Sequence, residues 1–539
     1  MNLTPEKDFD ETAPEIDARS DAESEPGPLL FDGADWSFKS LSRTYDAIER
    51  VALDDLGLNV YPNQVEIIST EQMLDAYSSF GMPLMYRHWS FGKHFAREEK
   101  SYRQGHSGLA YEIVINANPC ISYNLEDNTM ALQALVMAHA AFGHNHFFKN
   151  NYLFRQWTDA DGVLDYFQYA KAFIAGAEER HGLKAVEEVL DAAHAIMEQG
   201  VFRYRRAPEL TTEQRQTRKR EIEAYRERTF NDLWRTVPAA ARAEVTSEAE
   251  KMKVERRHKL KLPEENLLFF LEHNSPILEG WQREVLSIVR NVAQYFYPQR
   301  QTKVMNEGCA TFTHHYIMNA LYDGGQISEG AMLEILHSHS NVLTQPDFDE
   351  RRFNGINPYA LGFAMMEDIR RICSAPTDED RDWFPELAGS DDWRGALRHA
   401  WANYRDESFI RQYLSPHLIR KLKLFNLTDN ADDPHYTVDA IHDERGYRKV
   451  RDALANNYDP AHIDADIQVV DADLRGDRQL FLEHSVRQGV GLAEGSRREV
   501  LKYIRQLWGY DVTLSGMDHQ TGEQLYRSST LEADESDAA

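Results

Sequence analysis

Residues 139–151 read HAAFGHNHFFKNN, three histidines within eight positions followed by aromatics and asparagines. Imidazoles this dense either ligate a metal or hydrogen-bond inside a polar seam of a helical core. On an ideal helix, His139 and His144 are five apart and point about 140° away from each other. His139 and His146 are seven apart and share a face to within about 20°. The zinc-protease pattern HExxH needs its histidines at i,i+4, so HAAFGH has one residue too many, and Ala140 stands where the general-base Glu would be. A local bulge at Gly143 would re-aim His144.

Other stretches carry related spacing. VEEVLDAAHAIMEQG places Glu187, Asp191 and His194 on one stripe at i, i+4 and i+7. MNEGCATFTHHYIMNALY does the same with Glu307, Thr311 and His314, and His315 lies about 80° further round. LEILHSHSNVL offers Glu334 and His337 at i,i+3, with His339 near the helix end. Glu178 and His181 share that spacing, but His181 precedes Gly182 and reads as a C-terminal His facing the helix dipole. Buried carboxylates and imidazoles at one-stripe spacing are expensive unless they are paired or bind a metal. Zinc or iron takes such side chains from facing helices. The bland alternative is a set of core histidines, each bonded to a carboxylate or carbonyl neighbour.

The elements that must position these residues are mostly helices. WSFKSLSRTYDAIERVALD spaces its apolar residues helically, and YPNQVEIISTEQMLDAYSSFG gives a short apolar run and then a helix capped at Ser69 or Thr70. LAYEIVINANPCISYNL alternates and is β-branched, which predicts short strands at 110–116 and 120–125 around an Asn-Pro turn. A helix is expected from Asn128 to Phe148, and others at 162–181, 183–200, 212–235, 276–296, 303–322 and 328–340. From His435 the texture changes. YTVDAIHDERGYRKVRDALANNY suggests a strand and a helix, and ADIQVVDADL and RQLFLEHSV suggest a hairpin around Arg475-Gly476-Asp477. Ser496 and Glu499 form a capping box for REVLKYIRQLW, and YDVTL is a closing strand.

Composition bounds the class. The chain has 539 residues, 42% hydrophobic and 11% aromatic, enough for well-buried cores, and no apolar run is long enough to span a membrane. The acidic start has no apolar stretch and is not a secretory signal. Three cysteines (Cys120, Cys309 and Cys373) with no CxxC spacing argue for a reducing compartment, so a cytoplasmic protein is expected. The formal net charge is −28, and it concentrates at the ends: residues 1–35 hold eleven acids against two bases, and residues 527–539 hold four against one. Both ends read as disordered acidic tails, and the overall charge makes nucleic-acid binding unlikely. The section 203–261 runs the other way, with seventeen Lys or Arg against ten Asp or Glu, and reads as a solvated charge-rich helix.

Taken together, the blocks WSFGKHFAREEKSYRQGHSGLAYEIVINANPC, HAAFGHNHFFKNNYLFRQWTDA, LDAAHAIMEQGVFRYRR, QTKVMNEGCATFTHHYIMNALYDGG, LHSHSNVLTQP and NGINPYALGFAMMEDIRRIC resemble the stage V sporulation protein R (SpoVR) family from Trp36 to Tyr526. Where that family has Trp in NEGWATFWH, this chain has Cys309 and Thr313. The resemblance implies an accessory or regulatory part in a sporulation (spore cortex) or stationary-phase stress-response module, with a PrkA-type serine kinase and a von Willebrand-like protein as partners. NEGCATF is also similar to the segment by which gluzincin aminopeptidases supply a third zinc ligand, and HAAFGH to their HExxH helix. That second resemblance implies a zinc-dependent hydrolase acting on peptide or peptidoglycan-related bonds, with Zn or Fe as cofactor and Glu307 joining His139 and His144 as ligands. His194 and His314 are further candidate ligands. With no Glu at 140, Glu112 in YEIVIN is the candidate catalytic base on sequence order.

The expected fold is α+β and mainly α-helical. A main lobe at 36–430 carries a small, zincin-like β element, and a compact α+β domain follows at 435–526.

Overall fold

The computed structural model describes residues 28–530, apart from 79–85, 90–111, most of 205–258, 429–436, 440–442 and positions 349, 352, 475, 488 and 490. Most of the charge-rich stretch, of the helix expected at 212–235 and of both acidic tails therefore lies outside the described residues. The chain is a mainly helical α+β protein, as its periodicity predicts. Among the described residues no helix is long and apolar enough to cross a membrane.

A three-stranded sheet lies beside the histidine-bearing helix. It consists of β1 (Asn63–Ile68), β2 (Glu112–Ile115) and β3 (Cys120–Leu125) in the order β1-β3-β2. The expected strand pair forms as the antiparallel β2–β3 ladder, with Glu112 opposite Asn124. The apolar run before Thr70 is itself a strand, pairing in parallel with β3 from Asn63↔Cys120 to Ile68↔Leu125. The central strand β3 is almost wholly buried, which its β-branched and aromatic residues suit.

The helix expected over 128–148 exists but changes pitch midway. Thr129 caps an α-helical part, Met130–Met137, by accepting from the Leu132 N–H. Residues Ala138–His144 then form a π-helical segment, and Asn145–Asn150 returns to α. Every residue of that π segment is buried.

Against it packs the helix Lys303–Asp323, which bears Glu307 and His314 and is itself flanked by Pro358–Ser374. Both contacts are made where side chains are minimal. A Cβ on Gly143 would stand 2.4 Å from Ala310 Cα, and one on Gly308 would stand 2.7 Å from Gly362 Cα. Thr302 gives the Glu307 helix no side-chain cap. The buried Asp406 carboxylate does so from another helix, accepting from the Val304 and Met305 N–H groups at 2.8 Å each. Two otherwise orphaned donors are satisfied in this way, although burial raises the Asp406 pKa to about 7, and the site helix is held at its start as well as along its flank.

These elements share one core, which includes Met137, Phe142, Met305, Phe312 and Met366. A second core joins Val163–His181, Leu183–Ala195, Leu267–Asn274 and Gly280–Gln301 to the C-terminal part of the chain. After a short pair, β4 (Asn426–Thr428) and β5 (Thr437–Asp439), the C-terminal sheet runs β6-β7-β8-β9, from Ile467–Ala472, Leu480–Val486, Val512–Asp518 and Gln524–Ser529. The predicted hairpin is β6–β7.

Two sequence expectations there shift. The helix Glu494–Trp508 starts after Ala493, so Ser496 and Glu499 lie inside it rather than forming a capping box. β8 is not the closing strand, because β9 pairs beyond it.

Candidate metal centre

The π segment settles the wheel problem of HAAFGH. With i→i+5 hydrogen bonding, residues five apart stack one turn above another. His139 and His144 accordingly face each other, ring centroids 4.6 Å apart and planes at 89°. His146, the face-mate an unbroken helix would give His139, turns away instead. Its Nδ1 accepts from the Asn59 N–H at 2.9 Å, and its ring abuts Trp401. Gly143 permits the bulge by letting the segment lie against Ala310, one turn from Glu307.

The result is a convergence of donors from three elements. Glu307 Oε2 lies 3.6 Å from His144 Nε2 and 3.8 Å from His139 Nε2, and Glu112 Oε1, on β2, lies 3.6 Å from His139 Nε2. Donor atoms of Glu112, His139 and His144 all fall within 4.8 Å of one another, the one such group among the described residues. These separations are too long for hydrogen bonds. Two donors on a tetrahedral ion, with bonds of about 2.1 Å, stand about 3.4 Å apart. The buried Glu307 Oε2 has no hydrogen-bond partner of its own. The side chains that could hold a borderline cation such as zinc or iron are His139 and His144 with Glu112 or Glu307.

The surroundings favour the ligand form of each ring. His144 Nδ1 lies 3.0 Å from Asn306 Oδ1, which as an amide oxygen only accepts, so Nδ1 carries a proton and the neutral tautomer with its lone pair on Nε2 is favoured. Burial, with His144 nearby, holds the His139 pKa well below that of a free imidazole and keeps the ring neutral. The rings are buried, and the Glu112 and Glu307 side chains are 19% and 16% exposed.

Burial, and secondarily the charge of Glu307, raise the Glu112 pKa to about 8. Folded cation-free protein thus keeps a proton that the unfolded chain sheds near 4.5. This contribution to stability is full at low pH and declines as pH rises from about 4.5 to about 8. Glu112→Gln should flatten that part of the decline, read as urea midpoints in chelator at about pH 5, 7 and 8.5; an unchanged slope would remove Glu112 as its source.

The remaining candidates divide. His314 reaches the cluster, but on the far side of His139: the two Nδ1 atoms are 3.0 Å apart, and His314 Nε2 lies 2.8 Å from His339 Nδ1. His194 instead meets Tyr86, whose hydroxyl is 2.5 Å from its Nε2, and His88, at a ring distance of 4.6 Å. Asp191 from the same stripe takes His88 Nε2 at 3.0 Å and Trp89 Nε1–H at 2.7 Å. That group belongs to the second core, and burial lowers the His194 pKa to about 4. Of the stretch LEILHSHSNVL, His339 faces the site chain, whereas Glu334 accepts from the Thr129 hydroxyl and His337 is exposed.

Asn306 and His339 are the positions that spacing alone did not single out as partners. Asn306 adjoins Glu307 in the NEG motif, the one signal that pointed to it.

Comparison with known proteins agrees with the resemblance. The family described as "SpoVR like protein" matches residues 35–463, and the "SpoVR-like C-terminal domain" matches residues 465–519. The chain is 49% identical over 496 residues to the "Uncharacterized protein YcgB" of Escherichia coli (strain K12), an alignment covering 92% of this chain and 95% of that one. No solved structure matches. With the family's patterns spanning both the histidine-bearing lobe and the C-terminal sheet, this chain belongs to the SpoVR family.

Proposed function

We propose that the chain is a metal-dependent hydrolase, with a zinc or iron ion held by His139, His144 and Glu307 and with Glu112 as the proton-transferring carboxylate. The observation that carries the reading is the buried, unpartnered Glu307 Oε2 between two imidazole Nε2 atoms at 3.6 and 3.8 Å. An ion at this place would supply Lewis acidity and an acidified water near neutral pH. The protein's own groups supply the rest. Asn306 orients His144, and Glu307 brings a negative charge to balance the cation. Glu112 Oε1, 3.6 Å from His139 Nε2, is placed to take a proton from an attacking water and return it to the leaving group. An edge strand thereby provides the base that Ala140 cannot.

Peptide or peptidoglycan-related bonds are the substrate class, by likeness to gluzincins. The family resemblance supports a cytoplasmic setting in sporulation or stationary-phase stress, beside a PrkA-type kinase and a von Willebrand-like partner. A second reading, an accessory protein with a closed structural ion, is favoured by the proximity of Glu112 itself to both rings. Four protein ligands leave no open position for water.

Elemental analysis should find about one transition-metal ion per chain. Glu112→Gln should keep that ion and abolish hydrolysis across a panel of peptide and muropeptide substrates. Loss of the ion from that variant would favour the closed site, and a wild-type protein that takes up no zinc or iron would refute both readings.

A further inference from the structure

A hydrogen bond between two imidazole nitrogens carries one proton, so a chain of neutral imidazoles has a direction. His139, His314 and His339 form such a chain, linked Nδ1–Nδ1 at 3.0 Å and Nε2–Nδ1 at 2.8 Å, and all three rings are buried. Burial of all three side chains favours the uncharged form of each ring.

Only two arrangements then satisfy both links. In one, His139 donates from Nδ1, His314 accepts at Nδ1 and donates from Nε2, and His339 accepts at Nδ1; His139 Nε2 is left bare towards Glu307. In the other, every proton is shifted: His339 donates from Nδ1, His314 from its own Nδ1, and His139 Nε2 must carry an N–H. The first arrangement offers the site a lone pair, whereas the second fills the same point with a hydrogen and cannot bind a cation.

We propose that His314 and His339 are positioning residues whose hydrogen-bond direction locks His139 in the tautomer that presents Nε2 to the cation, a role that rests on the ligand assignment above. His314 is then an orienting partner of a ligand, not a ligand itself. Asn306 does for His144 with a fixed acceptor what His314 does for His139 with a reversible one. The His339 ring, stacked on His315 at 4.8 Å and edge-on to Phe363, anchors the outer end.

The test compares His314→Asn, which places an amide oxygen near the lost Nδ1, with His314→Leu, which has no acceptor. Zinc affinity is measured by competition with a chromophoric chelator, and the tautomers of the zinc-loaded wild type are read by nitrogen-15 NMR of labelled histidines. Loss of an orienting partner should weaken zinc binding about 10–100-fold in the Leu variant, while the Asn variant stays close to wild type. The spectra should show His139 protonated on Nδ1 and His314 on Nε2. A His314 protonated on Nδ1 in the zinc-loaded protein overturns the inference, and that reading needs no variant to fold. Equal affinities for the Leu variant and the wild type overturn it as well, and leave the ligand assignment standing. Wild-type protein that takes up no zinc overturns the ligand assignment, and this inference with it.

Discussion

Glu307→Gln should abolish cation binding while leaving the cation-free protein at least as stable as the wild type. The substitution keeps the side-chain shape and removes the charge. Altering an orienting partner of a metal ligand lowers affinity about 10–100-fold, and replacing a ligand carboxylate among three ligands should exceed that range. Stability should move the other way, because Glu307 Oε2 is buried without a hydrogen-bond partner, an arrangement that disfavours the folded state unless a cation is present. The two proteins should therefore separate on zinc addition. Wild type gains about 2.7 kcal/mol at a hundredfold excess of zinc over Kd, and the variant gains nothing. Calorimetric melts of both proteins, with chelator and with zinc, are sufficient to test this. A Gln variant that is less stable than wild type in chelator, or equally shifted by zinc, would show that the carboxylate is structural.

Gly143→Ala should be strongly destabilising. Its Cβ would meet Ala310 Cα at 2.4 Å and Ala310 Cβ at 2.9 Å, both fixed to helix backbone, with no flexible side-chain end to swing aside. Relief requires the π segment and the Glu307 helix to part, and overpacking of this kind costs about 1–3 kcal/mol or more. Because Ala310 is one turn from Glu307, parting them also draws the carboxylate from the imidazoles, so zinc affinity should fall together with the urea midpoint. Gly330→Ala is the control: it lies in the helix Glu329–Val342 with nothing within 4 Å of its Cβ, and should be neutral or stabilising by about 0.5–1 kcal/mol. Similar midpoints for the two variants would mean that the helices can slide.

Much of the arrangement was legible in the residues, and the failures have physical causes. β2 and β3 follow from β-branched alternation, and the helices bearing Glu307 and His339 start within a residue or so of their expected positions. The pairing of β1 with β3 is parallel and long-range, so no turn between them announces it. β9, sequence QLYRSS, is half exposed and mostly polar, which hides it among tail-like residues. At the site, the helical wheel pointed His144 away from His139, because a wheel assumes uniform pitch and one π segment breaks that assumption. Likeness of motif named His139, His144 and Glu307, and strand order named Glu112. Stripe spacing favoured His194 equally, yet its helix packs in the other core, a matter of topology that spacing on one helix cannot carry.

The π segment bears on how such centres are found at all. Searches for metallohydrolase signatures fix the interval between two histidines, and a single extra residue absorbed by a wider helical turn defeats them while leaving the imidazoles adjacent. Shortening HAAFGH by one residue would give the chain a conventional interval, but Gly143 would no longer lie opposite Ala310. Insertion and close approach are thus a matched pair, and descendants of this lineage should keep both or lose both.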